Sequence, residues 1–172
     1  MKTVSQPQGA ESVVRTVSPP EPSPCNGTAL RKATRRVSQL YDAALAPCGL
    51  RSTQRSILAH IGRAGAPAIG DLAAALVLDR SALAHNLKPL ERDGLVAVMV
   101  DANDKRSRLV KLTARGEAKL AESAKLWEVA QYRFEATFGA DQARALRASL
   151  ALIASAKFVD AFQGGEDDGA AA

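Results

Sequence analysis

The sequence contains few of the residues from which metal centres, covalent cross-links and catalytic sites are built. Its 172 residues include two cysteines, Cys25 and Cys48, and two histidines, without Cys, Asp or Glu partners at metal-ligand spacing. Two cysteines make no disulfide framework, and thiols are the default in a reducing compartment. There is also no P-loop, GxSxG motif or paired-carboxylate signature. The sequence therefore predicts that the protein is not an enzyme and holds neither a metal nor another cofactor.

Long apolar runs are absent too. No stretch approaches the roughly 20 apolar residues of a membrane span, and the N-terminus lacks the hydrophobic core of a secretory signal. We therefore expect a cytoplasmic protein without a membrane partner. With 172 residues and 47% hydrophobic content, the chain can bury one core, which predicts a single globular domain.

Positive charge is concentrated in the middle of the chain. The formal net charge is +5, and between residues 49 and 115 eleven Lys and Arg stand against six Asp and Glu. The net charge of this segment, +5, is therefore equal to that of the whole chain. A basic total is common in proteins that never bind nucleic acid, but its position here favours a polyanionic partner.

A helix with clear start and stop signals lies inside this basic segment. Asp79 can accept hydrogen bonds from the N–H groups at a helix start. Leu83, Leu87 and Leu90 follow at the spacing of one apolar stripe. Gly94 then ends the helix. The pattern predicts an amphipathic helix that buries its leucines and exposes the opposite face.

A basic hairpin follows the helix directly. Two Val- and Leu-rich runs, Val96–Val100 and residues 109–113, flank the polar loop 101–108, which contains Lys105, Arg106 and Arg108. Taken alone, a basic loop is more often a solvent-exposed loop without a binding role, and a helix with a leucine stripe usually only contributes to the hydrophobic core. Their order and adjacency predict a winged helix-turn-helix, which reads one groove of DNA and grips the neighbouring backbone.

These motifs resemble those of the MarR (multiple antibiotic resistance regulator) family of bacterial transcription factors. The string DRSALAHNLKPLERDGLV is similar to the family's recognition helix, and DANDKRSRLVKLTARG to its wing and the start of the next helix. The resemblance covers roughly residues 30–161. It implies a mainly α fold with a small β-hairpin wing (α+β) and a helical dimerisation region. It also implies a homodimeric regulator, expected to be a repressor, on a pseudo-palindromic operator in double-stranded DNA.

The predicted DNA contacts lie on the exposed face of the recognition helix and on the wing. They are Arg80, Ser81, His85, Lys88, Lys105, Arg106 and Arg108. Arg106 matches the family's wing arginine, which enters the minor groove, and Asp104 is expected to steady the loop. Arg108 has an alternative structural role as the ion-pair partner of Asp101 or Asp104. His85 stands where the family often has arginine.

The rest of the chain divides into tails, a DNA-binding lobe and dimerisation helices. Residues 1–26 and 164–172 are predicted to be disordered, since they have too few large apolar groups to fold. Residues 27–163 form the winged-helix domain, with the DNA-binding lobe at 48–113 and dimerisation helices at 27–47 and 114–163. Ser52 is predicted to cap the second helix and Thr113 the helix after the wing. Pro89 either kinks the recognition helix or marks a wrong boundary.

Two apolar stripes after the wing predict a second subunit. They belong to a long helix from Thr113 and to a last helix over residues 141–162, which Gly139 separates. The apolar positions are Leu120, Ala124, Trp127, Ala130, Phe134, Phe138, Leu146, Leu150, Ile153 and Ala156. Because these stripes are too long for one small lobe to cover, we expect a two-fold dimer.

The resemblance also implies a small-molecule effector between the dimer helices and the winged lobe. In MarR-like proteins this crevice often takes a small aromatic acid or a phenolic compound. By topology, the candidate neighbours are Tyr41, Arg51, Gln54, His60 and Trp127. His60 has a structural hydrogen-bonding role as its alternative.

Two further interpretations remain open at the level of sequence. Some MarR-like regulators sense organic hydroperoxides with a thiolate near the start of the first helix. That position falls on Gly27 here, two residues after Cys25, whereas Cys48 is expected to be a packing residue. The other interpretation is a winged-helix protein-interaction module without DNA binding, for which Pro89 is the hint.

Overall fold

The computed structural model describes residues 24–164, so the predicted tails lie largely outside the described residues. The described part is mainly helical with one small antiparallel hairpin, which confirms the predicted fold class. Its elements in chain order are α1 (Asn26–Leu45), α2 (Ser52–Ala64), α3 (Ile69–Ala75), α4 (Arg80–Arg92), β1 (Val96–Val100), β2 (Arg108–Leu112), α5 (Ala114–Phe138), α6 (Ala140–Ile153) and α7 (Ala156–Gly164).

The recognition helix α4 begins and ends as predicted. The Asp79 carboxylate accepts the Ala82 N–H at 2.7 Å, which satisfies one of the unpaired donors at the helix start. Gly94 adopts φ 68° just after the last turn, a left-handed conformation that a residue with a Cβ rarely adopts. The helix remains continuous through Pro89 to Arg92. Pro89 therefore does not mark a wrong helix boundary.

The wing is attached to the residues before α3. β1 and β2 pair in antiparallel register from Val96 opposite Leu112 to Val100 opposite Arg108, so β2 begins and ends one residue before the predicted run. Leu109 also forms an isolated bridge with Ala68, and the Val110 N–H donates to the Pro67 carbonyl at 3.0 Å. These bonds fix the hairpin against the start of α3.

A second junction joins the wing to α5. The Thr113 hydroxyl donates to the Gly94 carbonyl at 2.6 Å and accepts the Gly116 N–H at 3.0 Å, so Thr113 caps α5 as predicted. The Thr113 N–H donates to the Leu95 carbonyl at 3.1 Å. Gly116 is buried against Leu95. The start of α5 is therefore packed directly onto the turn between α4 and β1.

The hydrophobic core lies in the lobe formed by α2, α3, α4 and the wing. Its fully buried large side chains are Leu45, Leu58, Ile61, Leu72, Leu83, Leu90 and Val110. Cys48 is 4% exposed and donates its thiol hydrogen to the Leu45 carbonyl, as expected of a packing residue. Outside the lobe, α1 crosses α5, where the Tyr41 hydroxyl donates to the Gln131 side-chain oxygen at 2.8 Å.

Several helix boundaries differ from the sequence prediction. α1 begins at Asn26, two residues earlier than the predicted start at Thr28 and inside the predicted tail. α2 is preceded by Arg51, not Ser52, as its capping residue, because Ser52 instead donates both its N–H and its hydroxyl to the Asp42 carboxylate. The predicted last helix is broken at residues 154–155, where the Ser155 hydroxyl accepts the Phe158 N–H at 3.2 Å.

Large apolar side chains remain exposed on the helical part of the described chain. They are Leu40, Val129, Tyr132, Phe138, Leu150, Leu152, Ile153, Phe158, Val159 and Phe162. Phe162 is 76% exposed and stacks on Phe158. Despite this apolar surface, none of the helices within residues 24–164 is long and apolar enough to cross a membrane.

Candidate nucleic-acid interface and effector crevice

The exposed face of α4 presents three of the predicted DNA contacts together. At about 100° per residue, Ser81, His85 and Lys88 fall within one narrow sector, opposite the buried leucines. All three side chains are exposed. The Ser81 hydroxyl donates to the Asp79 carboxylate at 2.7 Å, which leaves its oxygen lone pairs available to accept. The Ala82 N–H, together with this hydroxyl, lowers the pKa of the Asp79 carboxyl, so the cap stays ionised.

Arg80 departs from this face. It is the first residue of α4, and its guanidinium lies against α3, where a Cβ built on Gly70 would be 3.4 Å from its Nη2 atom. The helical sequence pattern grouped Arg80 with Ser81, His85 and Lys88, but at 100° per residue Arg80 stands closer to the leucine side. The structure therefore places Arg80 between α3 and the wing.

The wing loop is closed by hydrogen bonds from its own aspartates. The Arg106 N–H donates to the Asp104 carboxylate at 2.9 Å, and the Asn103 N–H donates to the Asp101 carboxylate at the same distance. Asp104 thus steadies the loop as expected. Lys105 and Arg106 stand exposed at the tip, and neither forms an ion pair within residues 24–164.

Arg108 does not take its alternative structural role. No ion pair joins it to Asp101 or Asp104 in the described residues. Its Nη1 group donates instead to the Lys105 carbonyl at 3.0 Å and the Ser107 carbonyl at 3.3 Å. The Asp101 and Asp104 carboxylates each accept a backbone N–H of the loop. The guanidinium closes the loop and keeps further donors available.

Three of the five predicted effector contacts line one small cavity. Tyr41, His60 and Trp127 surround about 240 Å³ between α1, α2 and α5. Arg51 and Gln54 do not line it. The Gln54 side-chain oxygen accepts the Arg51 N–H at 2.9 Å, so this pair closes the start of α2.

His60 has the structural bond that its alternative role requires. Its Nδ1 atom lies 2.8 Å from the Ser56 carbonyl oxygen, so Nδ1 carries a hydrogen and donates there. The other ring nitrogen, Nε2, is not used by that bond. His60 therefore combines a bond within α2 with a position on the cavity wall.

Arg55 belongs to this cavity and was missed by the sequence analysis. Its guanidinium lies over the Trp127 ring, 4.4 Å from the centroid. The Nε–H is buried without an acceptor, and burial lowers the pKa of the guanidinium. Arg55 also lines an adjoining cavity of about 490 Å³. The sequence offers one signal for Arg55. It lies one helical turn before Ala59, the neighbour of His60, so it shares the side of α2 that lines the cavity.

Cys25 lies at the start of α1. The structure places it as the residue that precedes the first turn, and it is exposed. Hydrogen bonds from the Thr28 side chain and backbone lower the pKa of its thiol. The cysteine lies two residues before Gly27, the position to which the resemblance assigns the sensing thiol.

Comparisons with known proteins support the assignment of this interface to DNA. The MarR family model matches residues 50–107. The transcriptional activatory protein BadR of Rhodopseudomonas palustris is 38% identical over 95 residues, which are 53% of this chain and about half, 50%, of that protein.

Solved structures extend the similarity to most of the chain. MosR of M. tuberculosis, in complex with DNA, is 38% identical, with a TM-score of 0.62 over 74% of this chain and 97% of that one. The repressor CouR, bound to a 23-mer DNA duplex, is 30% identical, with a TM-score of 0.70 over 76% and 93%. CouR from Rhodococcus jostii RHA1 bound to p-coumaroyl-CoA shares the fold, with 24% identity, a TM-score of 0.65 and 76% and 91% coverage. The chain is therefore a member of the MarR family of winged-helix, DNA-binding transcriptional regulators.

Proposed function

We propose that the protein is a homodimeric repressor that a small aromatic or phenolic ligand releases from a pseudo-palindromic operator. The cavity beside Arg55 is the observation that supports a small-molecule effector. Its wall combines the Tyr41 and Trp127 rings with a cation whose Nε–H lacks an acceptor. An aromatic ring together with an anionic group matches that wall.

The charges of the cavity select the ligand class. Two arginines, Arg55 and Arg63, line it together with His60, and no carboxylate does. A carboxylate, or a phosphate of a coenzyme A thioester, would supply the missing acceptor, and a phenol hydroxyl could hydrogen-bond with His60. CouR, which resembles this chain in fold, is bound to p-coumaroyl-CoA in one structure, an aromatic compound of this kind. The ligand class that we propose is therefore an aromatic acid, a phenol or the thioester of an aromatic acid.

The DNA contacts follow from the winged-helix arrangement. In this proposal, Ser81, His85 and Lys88 enter the major groove, and Arg106 enters the adjacent minor groove. In a two-fold dimer the two recognition helices reach successive major grooves about one helical turn apart. A ligand between α1, α2 and α5 lies where the dimer helices meet the lobe, so it can change that spacing.

Linkage between the two sites tests the effector proposal. A ligand releases DNA only by binding the DNA-incompetent arrangement more tightly, and DNA must weaken ligand affinity by the same factor. Aromatic acids, phenols and their thioesters would be screened by thermal shift. Each hit would be titrated calorimetrically into free protein and into protein bound to a duplex that it selects from a random library. We expect about a 100-fold difference, roughly 2.7 kcal/mol.

A matched pair of variants assigns the anion contact. Arg55→Gln should weaken binding of a carboxylate ligand at least tenfold, since hydrogen bonds to charged groups contribute about 1.5–3 kcal/mol. Arg51→Gln removes an arginine three residues before Gln54 that does not line the cavity, so it should leave ligand affinity unchanged. Equal ligand affinity for free and DNA-bound protein would contradict the effector proposal.

The thiol switch is the second candidate function. It is favoured by the exposed Cys25 at the helix start, where hydrogen bonds from Thr28 lower the pKa of the thiol. The same DNA assay distinguishes the two switches. If organic hydroperoxide releases the selected duplex and none of the screened compounds binds, the regulator responds to thiol oxidation and not to a ligand.

The contact of Arg106 with the minor groove gives a separate prediction. Arg106→Ala should weaken binding of the selected duplex by about 1–3 kcal/mol, the range for one good contact. The loop should keep its shape, because Asp104 accepts the backbone N–H of residue 106 and not its side chain. Arg144→Ala, which removes an exposed arginine of α6, is the control. Fluorescence anisotropy at matched salt measures both, and equal affinities for the two variants would exclude the role.

A further inference from the structure

A recess lies between α3, the start of α4 and the wing. It measures about 410 Å³ and belongs neither to the exposed face of α4 nor to the effector cavity. The residues around it are Ala68, Ile69, Gly70, Asp71, Arg80, Asp104, Arg106, Ser107 and Arg108. Three arginines from two separate segments thus meet at one opening.

Arg80 is exposed, and its side chain lines this recess beside α3. The Cβ that any other residue would add at Gly70 would be 3.4 Å from Nη2, 3.8 Å from Nε and 3.9 Å from Cζ of Arg80. These distances are those of ordinary van der Waals contact, so the Arg80 guanidinium lies beside Gly70 on α3. In the structure the guanidinium therefore lies beside α3 and not on the groove face of α4.

The recess has unneutralised positive charge. Asp71 and Asp104 line it, but neither forms an ion pair with Arg80, Arg106 or Arg108 within residues 24–164. The Asp104 carboxylate accepts a backbone N–H, and Arg108 directs only Nη1 to the loop carbonyls. Since a guanidinium has five N–H donors, Arg80 and Arg108 retain donors for an anion.

The position of the recess identifies that anion. When α4 occupies a major groove and the wing occupies the adjacent minor groove, the sugar-phosphate strand that separates the two grooves must cross between them. The recess opens at that place. We propose that it seats a backbone phosphate, held by Arg80 and Arg108, an assignment that rests on the DNA-binding function of the family.

This assignment gives Arg80 a different task from its neighbours on α4. A phosphate contact fixes the position of the protein on the duplex and carries no sequence information. Arg80 then contributes to the affinity for every duplex, whereas Ser81, His85 and Lys88 distinguish one sequence from another.

The test compares a duplex that the wild-type protein selects from a random library with a shuffled duplex of the same composition. Anisotropy titrations over a range of KCl concentrations give both affinities and the salt slope. Arg80→Gln should weaken both duplexes by a similar factor, about 5- to 10-fold, and lower the salt slope by about one per protomer. The ratio of the two affinities should not change. Arg80→Lys, which retains the charge, should keep the wild-type salt slope.

His85→Ala is the matched variant on the groove face, and it should reduce the affinity ratio. If Arg80→Gln weakens the selected duplex alone, Arg80 contacts bases and the phosphate assignment is overturned. Unchanged affinity for both duplexes would overturn it as well. If the wild-type protein selects no duplex, the DNA-binding function fails first, so the two failures are distinguishable.

Discussion

Replacing Gly116 with alanine is expected to lower the free energy of unfolding by about 3 kcal/mol, the upper part of the usual range for overpacking. A methyl group at this position would overlap the carbonyl oxygen of Leu95 and lie 2.9 Å from its carbonyl carbon. A backbone carbonyl cannot rotate away as a side chain does. The same oxygen accepts the Thr113 N–H, so its displacement also weakens the junction between the wing and α5.

Gly62 offers a matched control for this substitution. It also lies in a helix, but its added Cβ would meet only the side-chain ends of Leu112 and Leu120, each at 3.2 Å. Those methyl groups can shift, and alanine favours a helix over glycine by about 1 kcal/mol. Urea unfolding of both variants at one protein concentration measures the difference. If Gly116→Ala were no more destabilising than Gly62→Ala, the tight contact with Leu95 would not exist in solution.

The predictable parts of the fold depend on local rules. Asp79 and Thr113 cap their helices through bonds to N–H groups three residues later, a relation set by helix geometry alone. The buried leucines of α4 follow from their spacing. The end of the helix follows from Gly94, because glycine readily adopts the positive φ that is found there. The hairpin with its basic tip was predictable from strand-forming runs around a polar loop. These features involve neighbours within a few residues, which the sequence displays directly.

The errors concern contacts between distant segments. Gln54 does not line the cavity, whereas Arg55, which lines it together with Arg63, is placed by its contact with Trp127 on α5. Arg80 is placed by contact with Gly70 on α3. The break at Ser155 has no glycine or proline to mark it in the sequence. Each of these depends on packing that periodicity along one element does not contain.

The second large effect concerns the exposed apolar face at the end of the chain. Phe158 and Phe162 stack on one side of α7, and Leu152 of the preceding helix is 58% exposed. Burial of a large apolar side chain contributes roughly 1.5–3 kcal/mol, so leaving several in water is costly. In the dimer that we propose, a second copy of the chain covers this face. A two-fold interface uses every such residue twice.

The variant Phe158→Glu, Phe162→Glu is therefore expected to raise the dimer dissociation constant at least 100-fold, about 2.7 kcal/mol, because it places four carboxylates in one interface. Ala66→Glu, an exposed loop position in the lobe, is the control for added charge. Sedimentation velocity at micromolar concentration measures the association state. Circular dichroism checks that the lobe, whose core does not include α7, remains folded.

Operator affinity reports the same change through a different mechanism. One protomer contacts one half-site, so a monomeric variant loses the second set of contacts and the gain from linking two binding events. The variant should therefore bind the selected duplex with nearly the affinity of a single half-site, while its salt slope falls to about half. A wild-type protein that sediments as a stable monomer, or a double variant that still sediments as a dimer, would place the subunit interface elsewhere and leave the exposed phenylalanines of α7 unexplained.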